Sequence, residues 1–426
     1  MRRHLFLLTV LLTGIGWLLS SNGWASEEAL LRKLVEKRIL TEKEAREIRE
    51  EVAAEEAAPR PSGQVVVQPA PEPPVKKQEE QGIPEWVKTW KWAGDLRLRY
   101  ELQRREPAVD RDRGRFRLRF GFLAKPWDLM EVGVRLATGA SGNPVSTNQS
   151  FSNSFDKKEI FIDRAYVKYT PWNWMGLIGG KMDIPFNTTQ TIWDSDVTPE
   201  GAAVQVKSPF ASPIRPFASA GAFQVSELNS DAGDPAVFGL QLGSEVKLPW
   251  AGWSWTPSVG YYDFTSIQGT TVANVTNAPS GNTTVTEGAA RKFQYDYDLL
   301  TLISRLSTPP LFGRPITLTA EWDHNGEASD NNGAWSTGLE VGKITEKLGS
   351  WKAFYLYRRL ESDAAFGAIT DSDWGEGGTN RKGQRMGLTV GLAKNLTADL
   401  TYTRTDEIDG AQAEVDTFQI DANLIY

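Results

Sequence analysis

The 426-residue chain offers little that could do covalent chemistry. It has no cysteine and two histidines, His4 near the N-terminus and His324. That composition excludes His–Cys metal clusters and Cys–His nucleophile pairs. His324 follows Asp323 in Trp322-Asp323-His324-Asn325-Gly326, a pair that could orient an imidazole in a hydrolase, but it stands where a strand meets a loop and reads as a solvated loop histidine. Asp371, Asp373 and Glu376 form an acidic loop whose spacing does not match an EF-hand, and they read as a plain surface loop. No metal, cofactor or catalytic residue is expected, and no enzyme. A net charge of -7 gives no general affinity for nucleic acid.

The charged residues that do carry a pattern are basic. Arg97, Arg99, Arg115, Arg117, Arg119 and Arg135 recur at alternate positions, with Arg164, Lys168 and Lys181 further on. Side chains two residues apart in a strand share a face, and adjacent strands lie ~4.8 Å apart, so these residues would build a basic wall. The alternative is an ordinary hydrated face on which they pair with Asp95, Glu101, Glu131 and Asp183. A separate segment, Asn187 to Glu200, carries the acidic residues Asp194, Asp196 and Glu200.

Such a wall needs strands to hold it, and from about Trp86 to Tyr426 the sequence alternates with period two between turn signals. In residues 115–122, Phe116, Leu118, Phe120 and Phe122 oppose Arg115, Arg117, Arg119 and Gly121. Leu96, Leu98, Tyr100 and Leu102 do the same before it, and Val132, Val134 and Leu136 after it. Around Tyr297 to Leu306 and Ala353 to Leu360 both parities are apolar, and a bulge or a register error is expected there. Short connections (Lys125 to Leu129, Thr170 to Met175, Leu248 to Trp253, Thr308 to Pro315, Glu346 to Ser350, Asn395 to Thr397) alternate with long polar ones (Thr138 to Glu159, Asn187 to Glu200, Ser266 to Ala290, Glu361 to Lys382). That asymmetry, with about sixteen segments of roughly ten residues, is the pattern of an all-β transmembrane antiparallel barrel. A mean hydropathy of -0.39 agrees, because only the lipid face of each strand is apolar. Trp86, Trp90, Trp92, Trp127, Trp172, Trp174, Trp250, Trp253, Trp255 and Trp351 all fall beside short connections, as an interfacial girdle would.

The N-terminus reads as three pieces. Arg2 and Arg3, the apolar run Leu5 to Leu19 and the small residues Gly23 and Ala25 make residues 1–25 a signal peptide. Residues 26–54 place Leu30, Leu31, Leu34, Val35 and Ile39 at helical spacing, with Thr41 and Glu44 as a capping box, so a short periplasmic helical segment is expected. Residues 55–85, rich in Pro and Glu, form an extended linker. The barrel domain is then 86–426. No later stretch is long and apolar enough for a membrane helix.

Several segments resemble the putative porins of Gram-negative outer membranes: Phe161-Ile162-Asp163-Arg164-Ala165-Tyr166-Val167-Lys168-Tyr169, Gly179-Gly180-Lys181-Met182-Asp183-Ile184-Pro185-Phe186, Asp196-Val197-Thr198-Pro199-Glu200-Gly201, and Asp371-Ser372-Asp373-Trp374 with the glycine-rich run to Gly383. The resemblance implies a water-filled outer-membrane pore for small hydrophilic solutes and ions. A phosphate-type anion channel and a tether to peptidoglycan through the N-terminal segment are the alternatives. Phe418, Ile420, Ala422, Leu424 and Tyr426 resemble the terminal signal read by the barrel-assembly machinery, with Tyr where Phe is usual. Outer-membrane lipid and lipopolysaccharide are the implied surroundings, and a homotrimer is an assembly the resemblance allows. In general porins the loop at the place of Asn187 to Glu200 folds into the lumen. Carried over, it would set Asp194, Asp196 and Glu200 against the basic wall as a constriction with a transverse field.

Overall fold

The computed structural model describes Val87 and residues 90–426, apart from 229–232, 251, 311–312 and 412. The expected signal peptide 1–25, helical segment 26–54, linker 55–85 and Trp86 lie outside the described residues.

Period-two patterning becomes sixteen barrel strands: β1 (Lys91–Glu106), β2 (Arg111–Trp127), β3 (Met130–Thr138), β4 (Ile160–Trp172), β5 (Met175–Lys181), β6 (Glu200–Lys207), β7 (Ile214–Gln224), β8 (Ala236–Lys247), β9 (Ser254–Thr265), β10 (Tyr297–Ser307), β11 (Ile316–Asn325), β12 (Gly333–Gly342), β13 (Trp351–Leu360), β14 (Arg381–Ala393), β15 (Leu396–Glu407) and β16 (Glu414–Ile425). Each pairs antiparallel with the next, and β16 returns to β1 from Asp95↔Ile425 to Glu106↔Glu414. Closure leaves no free edge, which a strand in hydrocarbon requires. Tyr426 seals the seam: its backbone exchanges hydrogen bonds with Gly94, and its hydroxyl donates to the Arg119 carbonyl at 3.1 Å.

One end of the barrel carries the tight connections 128–129, 173–174, 208–213, 248–253, 308–315, 343–350 and 394–395; the long loops 139–159, 182–199, 266–296 and 361–380 lie at the other. Tryptophans mark the tight end. Trp90 stacks on Phe122 at 4.4 Å and Trp172 on Trp174 at 5.2 Å, while Arg314 lies over Trp351 at 4.8 Å. Trp322, Trp335, Tyr100 and Tyr261 form a second exposed belt toward the long loops, so apolar side chains between the two belts face lipid.

Register breaks fall at Ala124/Trp127, Arg135/Leu136, Tyr169/Trp172 and Gly391/Ala393. None falls in Tyr297 to Leu306 or Ala353 to Leu360, where a bulge was expected; both strands pair without interruption. Their doubled apolar pattern has another cause. Tyr297, Leu299, Ile303 and Leu360 point inward and are buried, because an apolar cluster fills that side of the lumen. Loops supply much of it: Phe186, Ile192, Trp193 and Val197 from loop 182–199, and Ala364, Ala365, Phe366 and Ala368 from loop 361–380, packed on Tyr262, Phe264 and Phe293. The barrel thus has a lipid-facing apolar surface outside and an apolar core inside, confined to one side.

Candidate functional site

Opposite the apolar core lies the charged wall. Antiparallel register sets Asp95 beside Arg119, Arg97 beside Arg117, Arg99 beside Arg115 and Glu101 beside Arg113. Odd-numbered residues of both strands face the lumen, so the alternation read from sequence becomes a two-strand array of guanidinium groups. Nearly every one is matched by a carboxylate. Asp95 accepts from Arg117 Nε at 2.8 Å and Arg119 Nε at 2.6 Å. Glu101 takes Arg113 at 2.5 Å, Arg115 at 3.5 Å and Gln419 at 3.0 Å. Arg99 is buried and forks onto both oxygens of Asp421 at 2.8 Å, while its Nη1 reaches Asp373 at 2.9 Å. Arg135 pairs with Asp163, and Arg164 with Asp183. Glu131 sits across from Lys168 in register and accepts the Tyr166 hydroxyl. Arg97 differs: its Nη2 donates to Asn148 Oδ1 at 2.6 Å, and it has no carboxylate partner among the described residues.

Lys181 does not join this array. It stands at the end of β5 opposite Ala165 and Glu200, on the other parity from Arg164 and Lys168, and bonds Glu200 and the Thr198 carbonyl. Glu200, the exposed first residue of β6, therefore faces Lys181 rather than the arginines. The other two acidic residues of the segment behave differently. Asp196 accepts from Arg119 at 3.4 Å and from the Thr147 amide and hydroxyl at 3.0 Å. Asp194 is buried and accepts the amides of Asp196 and Ser372, each at 2.7 Å.

Loop 182–199 reaches these positions by crossing the lumen. It leaves β5, and Asn187 bonds Gln241 of β8, Ser258 of β9 and Arg305 of β10; Thr189 and Thr191 then donate to Glu321 of β11. It returns past loop 361–380, where the Asp194 amide donates to the Ile369 carbonyl, and arrives at Arg119 of β2. Burial of apolar side chains holds this course: Phe186 meets Tyr262 edge-on at 5.0 Å and Trp193 meets it at 5.8 Å.

Loop 361–380 also folds inward, which corrects its reading as a plain surface loop. Arg99 and Arg385 hold Asp373, Arg358 and Arg385 hold Asp371, and Arg105 holds Glu376 at 3.1 Å. Trp374 is buried beneath Arg358, whose guanidinium lies 4.9 Å from the ring centre. Gly375, Gly377 and Gly378 take positive φ here, and a Cβ on Gly378 would come within 2.3 Å of the Ser280 carbonyl oxygen. Burial alone would raise Asp373, but Arg99 and Arg385 outweigh it and hold the carboxyl well below the usual range. Asp194 goes the other way: burial and the neighbouring Asp371 and Asp196 push it up to about 8 against the two amides that bond it.

Between the loops and the wall lies a polar cavity of about 240 Å³, bounded by Arg97, Arg99, Arg117 and Arg385 on the strands and Asp194, Asp196, Asp371 and Asp373 on the loops. Sequence reasoning found the arginines and two of the loop acids. It missed Asp371 and Asp373 as partners of the wall, and Asp421 altogether. The signal available was the apolar content of the long loops: Ile192-Trp193 and Ala364-Ala365-Phe366 have no place in a loop that stays in water. His324 and Asp323 form no pair, since neighbours in a strand point to opposite faces; Asp323 is buried inside while His324 stacks on Trp322 outside.

The family model described as "Putative porin" matches residues 104–307 and 296–426. Among solved structures, OprB of Pseudomonas putida in its high-pH form aligns with a TM-score of 0.55 at 11% identity, covering 80% of this chain and 96% of that one. DcaP, an outer-membrane channel of Acinetobacter baumannii, aligns at 0.45 and 12% identity over 79% and 97%, and Salmonella typhi OmpF in complex with daunomycin at 0.48 and 8% over 79% and 97%. At such identity the OprB likeness shows a shared fold. No curated protein sequence matches the chain.

Proposed function

The chain belongs to the family described as "Putative porin", and from that premise we propose how its pore selects what passes. It is a β-barrel porin of the outer membrane, a channel for passive diffusion of small hydrophilic solutes and ions. Selection takes place where loops 182–199 and 361–380 face the arginines of β1 and β2. Size is limited by the loops and charge by a field between paired guanidinium and carboxylate groups, which disfavours solutes unable to replace ordered water. The observation that carries this reading is the course of loop 182–199 across the lumen, from β5 to Glu321 on β11 and back to Arg119 on β2. A dedicated anion channel would need a surplus of positive charge, and the ion pairs remove most of it.

Single-channel recording in planar bilayers tests the proposal. Ohmic currents that rise with salt support it; currents that saturate with one anion would replace it with the phosphate-type channel, and silence would favour the peptidoglycan tether. The remaining assignments belong to the same reading: signal peptide 1–25, helical segment 26–54, linker 55–85, recognition of Phe418, Ile420, Ala422, Leu424 and Tyr426 by the assembly machinery, and a homotrimer in lipid and lipopolysaccharide. Joining the signal directly to Trp86 should leave insertion and conduction intact, because a Pro-rich linker isolates what precedes it.

A further inference from the structure

The cavity between the inward loops and the wall is not uniformly compensated. Take out its internal ion pairs. Arg99 is bound by Asp421 and Asp373, Arg117 by Asp95, and Arg385 by Asp371 and Asp373. Asp196 is bound by Arg119, and Asp194 is bonded by two amides. Among the described lining residues, one cation and one anion have neither an ion pair nor a backbone amide donor. Among the described residues, Arg97 of β1 has only the Asn148 hydrogen bond, and its Nε has no partner there. Asp399 of β15 is hydrogen-bonded by Asn423 Nδ2 at 2.6 Å and by the Thr389 side chain, and it has no ion-pair partner among the described residues.

These two residues lie on either side of β16 and line the same cavity. Asn423 is the cross-strand partner of Arg97 and the hydrogen-bond partner of Asp399, so it forms a neutral bridge between them. Two strand spacings separate their backbones by roughly 10 Å, and both side chains point inward, so the charged ends are set to meet opposite ends of one small molecule. A volume of about 240 Å³ would hold on the order of eight waters at ~30 Å³ each, enough for a short-chain solute. A charge left buried without an ion-pair partner is costly, so a solute that brings an acceptor to Arg97 and a donor to Asp399 gains at both ends.

We infer that this cavity is a selectivity site for small zwitterions, with the solute carboxylate held at Arg97 and its ammonium at Asp399. The inference rests on the channel reading above and names the solute class that reading leaves open. A lone anion would satisfy Arg97 but face Asp399, and a lone cation the reverse, so neither should match a molecule carrying both charges.

The test is interruption of single-channel current by four solutes of nearly equal size: 4-aminobutyrate, butyrate, butylammonium and butyramide. The zwitterion should interrupt current at roughly tenfold lower concentration than the other three, equivalent to about 1.4 kcal/mol. Arg97→Gln should erase the advantage over butylammonium, and Asp399→Asn the advantage over butyrate. Four similar blocking concentrations in the unaltered protein would overturn the inference while leaving the porin reading standing, and this comparison needs no variant to fold. Butyrate matching 4-aminobutyrate would also overturn it, in favour of a simple anion contact at Arg97. Absence of any current would instead defeat the porin reading, and the site with it.

Discussion

Arg99 joins the wall to an inward loop, and replacing it with Gln tests that joint. Its guanidinium is 3% exposed and its partners Asp421 and Asp373 are 8% and 21% exposed. Removing one partner of a buried pair strands the other charge and costs about 3–5 kcal/mol. Asp373 is the more hydrated of the two and keeps Arg385 at 3.6 Å and Gln419 at 3.2 Å, so the expected loss lies near the lower end, about 3 kcal/mol. Two effects should appear together. The urea midpoint for unfolding from lipid vesicles should fall, and single-channel conductance should rise as loop 361–380 loses its hold on β1. Adding Asp421→Asn to Arg99→Gln should recover part of the stability, because the stranded charge disappears; the cycle should show a coupling of about 0.5–3 kcal/mol. A variant with the wild-type midpoint and wild-type conductance would refute the argument that this pair anchors the loop.

Arg117→Glu with Arg119→Glu should shift reversal potential in a salt gradient toward cations and lower stability, since Asp95 loses both partners and gains two like charges. The shift should shrink in molar salt, where the Debye length is ~3 Å, and an unchanged reversal potential at low salt would contradict a lumenal wall. Asp194 sits at about 8, above the ordinary 3.8, so the packed loops bind its proton more tightly than separated loops would. The Ser372 amide favours the charged carboxylate, but burial and the neighbouring Asp371 and Asp196 outweigh it, so the packing of the two loops is most stable in acid, weakens as pH rises above 3.8 and levels off past about 8. Current fluctuations should increase over that interval, and Asp194→Asn should make them independent of pH; fluctuations that fall with rising pH would reverse the sign of the argument. Deleting Tyr426, or changing it to Asp, should reduce the amount of barrel in outer-membrane fractions, and unaltered levels would show that the seam closes without it.

Strands were legible because lipid imposes a strict rule on one face. Phe116, Leu118, Phe120 and Phe122 have no other reason to alternate with arginines, so strand number, turn positions and the tryptophan girdle follow from sequence alone. The lumen obeys no such rule. Its side chains meet water in one place and a folded loop in another, so Tyr297 and Leu299 looked like a fault in the pattern when they were the wall of an inner core. Pairing was equally hidden. Arg99 finds Asp421 across 322 residues and Asp373 across 274, and period-two spacing carries no information about contacts at that separation. Lys181 and Glu200 were placed in the wall and its opposing loop by proximity in sequence, whereas the register of β5 and β6 turns them toward each other.

The seam between β1 and β16 has a consequence for how such a protein can be made and altered. Every other strand neighbours its predecessor and successor, so the ring is a string of hairpins with a single long-distance joint. Hairpins form quickly because little chain must be brought together, whereas the joint must gather ends more than three hundred residues apart and so comes last. Until then both terminal strands present bare edges, which makes the unclosed ring the aggregation-prone stage of biogenesis. The same connectivity means that a whole hairpin can be gained or lost while all but the two flanking strands keep their neighbours. Barrel circumference is therefore open to change in steps of two strands, and the terminal pair is the part under the tightest constraint.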